Sequence, residues 1–149
     1  MTAQSLRRFT THLLLASASL FSVACSGSDG PGLGPEQEQE ETQTASVTAT
    51  PTSGTIARGE SVSVTVVYTR TGGLTFKSTA VQRQYTGISI TQTSTQTVGT
   101  TITRVYAISA DETVPAGTHA VNFSAAIDNY TGTGVPPTPK AVFSLVVTE

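Results

Sequence analysis

The sequence predicts an all-β domain, two antiparallel sheets packed face to face, preceded by a segment that lies outside the fold. Three observations predict it. From residue 45 onward apolar side chains recur at every second position, the period of a strand with one buried face. Threonine supplies 28 of the 149 residues, and threonine and valine are both favoured on a pleated, half-buried surface. Turn-forming Gly, Pro, Asn and Asp interrupt the pattern at short intervals. The length suits one ordinary domain.

Taken in order, Ser46 to Thr50 reads as a first edge strand ended by Pro51, which has no N–H to give a sheet ladder. Val62, Val64, Val66 and Tyr68 then alternate with Ser63, Thr65, Val67 and Thr69. Gly59-Glu60 before this strand and Thr71-Gly72-Gly73 after it carry turn chemistry. One strand is expected within Thr75 to Gln84 and another within Gly87 to Ser94. Tyr106, Ile108 and Ala110 alternate with Ala107 and Ser109, and His119, Val121, Phe123 and Ala125 with Ala120, Asn122 and Ser124. Phe143, Leu145 and Val147 close the series. About seven strands in about 105 residues, with turns between them, predict an immunoglobulin-like antiparallel β-sandwich over 45–149. The chain has no tryptophan, and its single cysteine, Cys25, precedes the domain. The core is therefore expected to be Val, Ile, Leu, Phe and Tyr, with no disulfide across the sheets.

Residues 1–24 read as an export signal. Arg7 and Arg8 form a positive flank, and Leu13 to Ala24 is uncharged and mostly apolar. Twelve residues of helix span roughly 18 Å, short of the ~30 Å hydrocarbon core of a bilayer. Ser22-Val23-Ala24-Cys25 resembles the lipobox of bacterial lipoproteins, in which small residues precede an obligatory cysteine. The resemblance implies cleavage before Cys25, a diacylglyceryl group on its thiol, and attachment to a membrane through that lipid. A lone cysteine in an exported chain calls for such an explanation. Where the family usually has leucine, this chain has Ser22, and Ser-Val-Ala also suits ordinary signal cleavage, which would give a soluble secreted protein. Ser26, where aspartate would retain a lipoprotein at the inner membrane, resembles the pattern for outer-membrane or cell-surface display.

Residues 25–44 read as the lipidated cysteine and a disordered tether. The run 26–43 is rich in Gly, Pro, Ser, Gln and Glu, with Leu33 its only large apolar residue. It carries Asp29, Glu36, Glu38, Glu40 and Glu41 and no Lys or Arg. Eighteen flexible residues span about 23 Å end to end and reach roughly 60 Å when stretched. Repulsion among the carboxylates, and from anionic lipid, favours the longer distance.

The runs 51–73, 114–125 and 142–147 also resemble the Ig-like domains of bacterial cell-surface proteins: a proline, a strand-opening glycine, alternating valines, then a glycine pair, and later Ala116-Gly117-Thr118 entering a strand. The family often has tyrosine after Gly-Thr; this chain has His119. The resemblance implies the sandwich and leaves activity open, because such modules serve as spacers, adhesins and ligand-binding units. Surface proteins of the envelope, or a surface polysaccharide, are the partners it suggests.

Candidate chemistry is sparse. A net charge of −2 opposes nucleic-acid binding, which needs a basic patch. His119 is the domain's only histidine and sits on a predicted inward face, a poor place for a catalytic base. No metal site with three or four Cys, His or carboxylate ligands is apparent. Asp111-Glu112 and Asp128-Asn129 could offer oxygens to calcium, but chain order puts them at opposite ends of the sandwich. No enzyme activity and no cofactor are therefore expected. Thr91, Thr93, Thr95 and Thr97 would share one face if their strand runs on, more often just the solvated face of a strand, where threonine is favoured, than a flat array matching a regular surface such as ice or a polysaccharide. Tyr85, Tyr106 and Tyr130 are the tyrosines expected to be free to stack on a ligand, and Tyr85 and Tyr130 are the preferred binding candidates. Tyr130 stands in a Gly- and Pro-rich loop, long for a hairpin, of the kind that carries binding residues.

Overall fold

A computed structural model describes residues 42–149; the predicted export signal, Cys25 and the acidic run to Glu41 lie outside the described residues. Eight strands follow one another: β1 (Ala45–Thr50), β2 (Ser53–Ala57), β3 (Ser61–Arg70), β4 (Thr75–Arg83), β5 (Ile88–Val98), β6 (Thr101–Ala110), β7 (Gly117–Asp128) and β8 (Lys140–Thr148). They form two four-stranded sheets, ordered β1-β3-β6-β5 and β2-β8-β7-β4. Every pairing is antiparallel except β2 with β8, which is parallel. The chain thus runs up the first sheet in β1 and crosses to the second sheet at Pro51-Thr52 to continue as β2.

β2 is the strand that the periodic pattern does not reveal. Its five residues place only Gly54 and Ile56 toward the core. Gly54 is required there: a Cβ would stand 3.0 Å from Val62 Cγ2 and 3.1 Å from Phe143 Cζ. A short strand whose inward residues include a glycine shows no alternation to read.

The inward residues of the alternating strands close one core between the sheets. Val64, Val66 and Tyr68 of β3, Tyr106 and Ile108 of β6, Val121 and Phe123 of β7, and Phe143, Leu145 and Val147 of β8 are all buried. Tyr106 and Phe123 meet across the sandwich with ring centroids 5.3 Å apart. Much of the threonine excess goes to the outward face of the first sheet, where Thr48 and Thr50 of β1, Thr65 and Thr69 of β3, and Thr101 and Thr103 of β6 alternate with the core set. Hydroxyls on that face stay in water while the β-branched carbons favour the strand.

Two arginines enter the interior on this scaffold. Arg104 lies 5.7 Å from the Tyr68 ring centroid and Arg70 5.8 Å from that of Phe76. The two rings stand edge to face at 6.1 Å. Arg104 Nη1 donates to the Thr79 hydroxyl and Arg70 Nη1 to the Leu74 carbonyl. Burial, reinforced by the neighbouring Tyr106 phenol, holds the Tyr68 hydroxyl well above its ordinary pKa.

Thr91, Thr93, Thr95 and Thr97 do not share one face. β5 does run to Val98, but its register on β6 shifts between Gln92 and Ser94, so one residue is bulged out. Thr91 lies opposite Ala107 on the outward face, whereas Thr95 and Thr97 lie opposite Arg104 and Ile102 on the inward face. Thr93, at the bulge, donates its hydroxyl to the Val105 carbonyl at 3.1 Å. A bulge reverses the alternation, and the sequence pattern alone does not mark its position.

The registers define two ends. The end where the chain enters holds Thr44, the β3–β4 turn, the β5–β6 turn at Gly99-Thr100, and the β7–β8 loop. The far end holds the β2–β3 turn, the β4–β5 loop and the β6–β7 loop.

Candidate functional site

At the entry end, Gln43 joins three parts of the chain that are distant in sequence. Its Nε2 donates to the Gly72 carbonyl at 2.9 Å and to the Asn129 carbonyl at 3.2 Å. Its Oε1 accepts from the Thr131 amide at 2.9 Å. Gly72 lies at φ 61°, and a Cβ there would stand 2.8 Å from Gln43 Cα. Only glycine combines that left-handed backbone with so close an approach. Beside this, the Thr71 hydroxyl donates to the Thr42 carbonyl at 2.9 Å and accepts from the Thr44 amide at 3.0 Å. The Thr44 hydroxyl meets it at 2.7 Å. Thr42 to Thr44, which composition assigns to the tether, are therefore held on the domain.

The β7–β8 loop completes this end. Asn129 at φ 61° turns the chain out of β7, its amide donating to Asp128 Oδ1 at 3.0 Å. Asn and Asp are the residues that tolerate such a position. Tyr130 folds back over Gly132, where a Cβ would lie 2.6 Å from the phenol oxygen. Between the two walls lies an open cavity of about 480 Å³, bounded by Thr42, Gln43 and Gly72 on one side and the run 130–133 on the other. None of these side chains carries a formal charge; they include three threonine hydroxyls, the Gln43 amide and the Tyr130 ring with its phenol.

The far end is arranged differently. Tyr85 is 38% exposed and stands edge to face on His119, with centroids 4.7 Å apart. His119 is 4% exposed, on the inward face as expected. Its Nε2 lies 2.7 Å from the Pro115 carbonyl; a carbonyl only accepts, so Nε2 carries the proton. The side chain at the start of β7 thus bonds back to the backbone four residues upstream, as the hydroxyl of a tyrosine corner does. Asp111 Oδ1 accepts from the Thr113 amide at 2.8 Å and hydroxyl at 2.5 Å. These bonds hold the Asp111 carboxyl below its ordinary pKa. Arg58 Nε donates to the Val114 carbonyl at 3.0 Å. The Asp111 and Arg58 bonds fix these loops, while His119 Nδ1 is buried without a hydrogen-bond partner among the described residues.

The sequence candidates are therefore separated. Tyr85 and Tyr130 lie at opposite ends, and only Tyr130 lines the cavity. Tyr106, expected to be free for stacking, is 4% exposed and belongs to the core, because it falls on the inward parity of β6. Asp111-Glu112 and Asp128-Asn129 lie at opposite ends, as chain order implied. Among the described residues no three of His, Cys, Asp and Glu come together. Gln43, Thr42 and Gly72 were not readable as site residues; Gln43 sits in a stretch of linker composition, and only the hairpin turn at Gly72 had a signal. Compared with known proteins, the chain matches no family model, no curated protein and no solved structure.

Proposed function

We propose that this is a lipid-anchored protein of the bacterial cell envelope that presents one Ig-like domain as a structural, adhesion or protein-binding module. The observation that carries the reading is the sequence Ser22-Val23-Ala24-Cys25, a lipobox-like run holding the chain's only cysteine. The acidic run behind it supports a spacer between lipid and domain. Support for the Ig-like assignment comes from strand order: β1-β3-β6-β5 and β2-β8-β7-β4 correspond to the two sheets of a constant-type domain whose first strand is divided between them. The His119 bond to Pro115 stands where such domains place a tyrosine.

The test is the intact mass of the mature protein from the membrane fraction of its host. The expected mass is that of residues 25–149 plus a diacylglyceryl group, with or without an amide-linked acyl chain. An unmodified chain in the soluble export fraction would refute the anchor and leave a secreted sandwich.

A further inference from the structure

We propose that the entry-end cavity is a binding site for a neutral saccharide, with Tyr130 as its stacking face. The inference builds on the binding-module reading above and not on lipidation. Its volume, about 480 Å³, falls within the roughly 300–1,000 Å³ of small-molecule pockets. The character of the lining selects the ligand. Among the described residues the lining has no charged side chain, and so no counter-ion to a phosphate, a carboxylate or an ammonium group, and burying such a group unpaired is costly. Hydroxyls of Thr42, Thr131 and Thr133 and the Tyr130 phenol can each donate or accept, as the hydroxyls of a sugar do. The Tyr130 ring supplies one apolar face with a polar tip.

The site is also organised in advance. Gln43 uses both ends of its amide on Gly72, Asn129 and Thr131, so it fixes the two walls relative to each other and acts as a positioning residue. Gly132 lets the Tyr130 ring lie against its own loop. Walls fixed before binding lower the ordering cost that a ligand must offset. Thr42, the first described residue, forms part of the rim.

The test uses the mature full chain, in a non-glycosidic detergent if it is lipidated, with chitotetraose and maltotetraose as probes. Saturation-transfer NMR and titration calorimetry are expected to find at least one of them binding with Kd on the order of 1 mM. Tyr130→Ala should weaken it at least about tenfold, Tyr130→Phe, which keeps the ring and loses the hydroxyl, should weaken it less than that, and Tyr85→Ala should bind as wild type does. Ligand should shift the Thr131 amide resonance in the wild type, and Gln43→Ala should lose that shift. Binding of neither probe at about 10 mM, or equal binding by Tyr130→Ala, would overturn the proposal. The anchor is judged separately: a lipidated chain that binds neither probe removes this site alone, and an unmodified chain that binds removes the anchor alone.

Discussion

Replacing Gln43 tests whether the segment before β1 is part of the folded domain. Gln43→Ala deletes three hydrogen bonds, to Gly72 and Asn129 at 2.9 and 3.2 Å and from Thr131 at 2.9 Å. A net hydrogen bond contributes about 0.5–1.5 kcal/mol, and the two to the β7–β8 loop are exposed, which places them at the low end. The expected loss is about 1–3 kcal/mol, or a Tm lower by about 4–12 °C for a domain of this size. Gln43→Glu is the sharper variant. It keeps an acceptor for the Thr131 amide but sets a carboxylate oxygen against two carbonyl oxygens, so it should cost at least as much as alanine. Thermal melts give the global effect, and amide exchange gives the local one: Thr131 should lose protection while the core amides of Val66 and Phe123 exchange by the same route as in the wild type. A Gln43→Glu protein with wild-type Tm and wild-type protection at Thr131 would refute the reasoning.

Further outcomes follow from the packing and the far end. Val64→Asp puts a carboxyl in a fully buried position of β3; at about 4 kcal/mol or more, against a total stability of about 5–15 kcal/mol, it should lower the Tm by about 15 °C or more in a thermal melt. His119→Ala removes the bond to Pro115 and the support under Tyr85, and should cost about 2 kcal/mol, with His119→Tyr recovering part of it, as read by chemical denaturation. Thr113→Ala should raise the Asp111 pKa toward its ordinary value in an NMR titration. Because that pKa is lowered in the folded state, Asp111 adds stability above its unfolded pKa and loses it as pH falls through the folded one. The wild type should therefore lose more stability than Thr113→Ala in that acid range. Tyr68 has the opposite sense: its raised pKa adds stability below the unfolded tyrosine value that is lost at higher pH, so a spectrophotometric titration should show Tyr68 ionising only as the domain unfolds.

Strands with strong alternation were legible from sequence because a half-buried strand must place an apolar residue at every second position. β3, β6, β7 and β8 are of this kind, and they supply most of the core. β1 and its stop at Pro51 were legible from turn chemistry. What stayed hidden has a common cause. β2 carries a glycine where the core needs no side chain, β5 reverses its faces at a one-residue bulge, and Tyr106 differs from Tyr85 only in which way its backbone points. Each depends on the partner strand, which the local pattern does not contain.

The same division applies to the candidate site. Sequence alone determined that one all-β domain follows an N-terminal run holding the single cysteine, and that Tyr130 stands on a long loop. Only the tertiary structure decided that Gln43, Gly72 and Thr131 meet, although 29 to 88 residues separate Gln43 from its partners. Hydrogen bonds at such separations leave no periodic trace, because neither partner needs to be apolar or to keep a fixed spacing. They form where two loops are brought to the same end of a sandwich, and strand order, not residue type, brings them there.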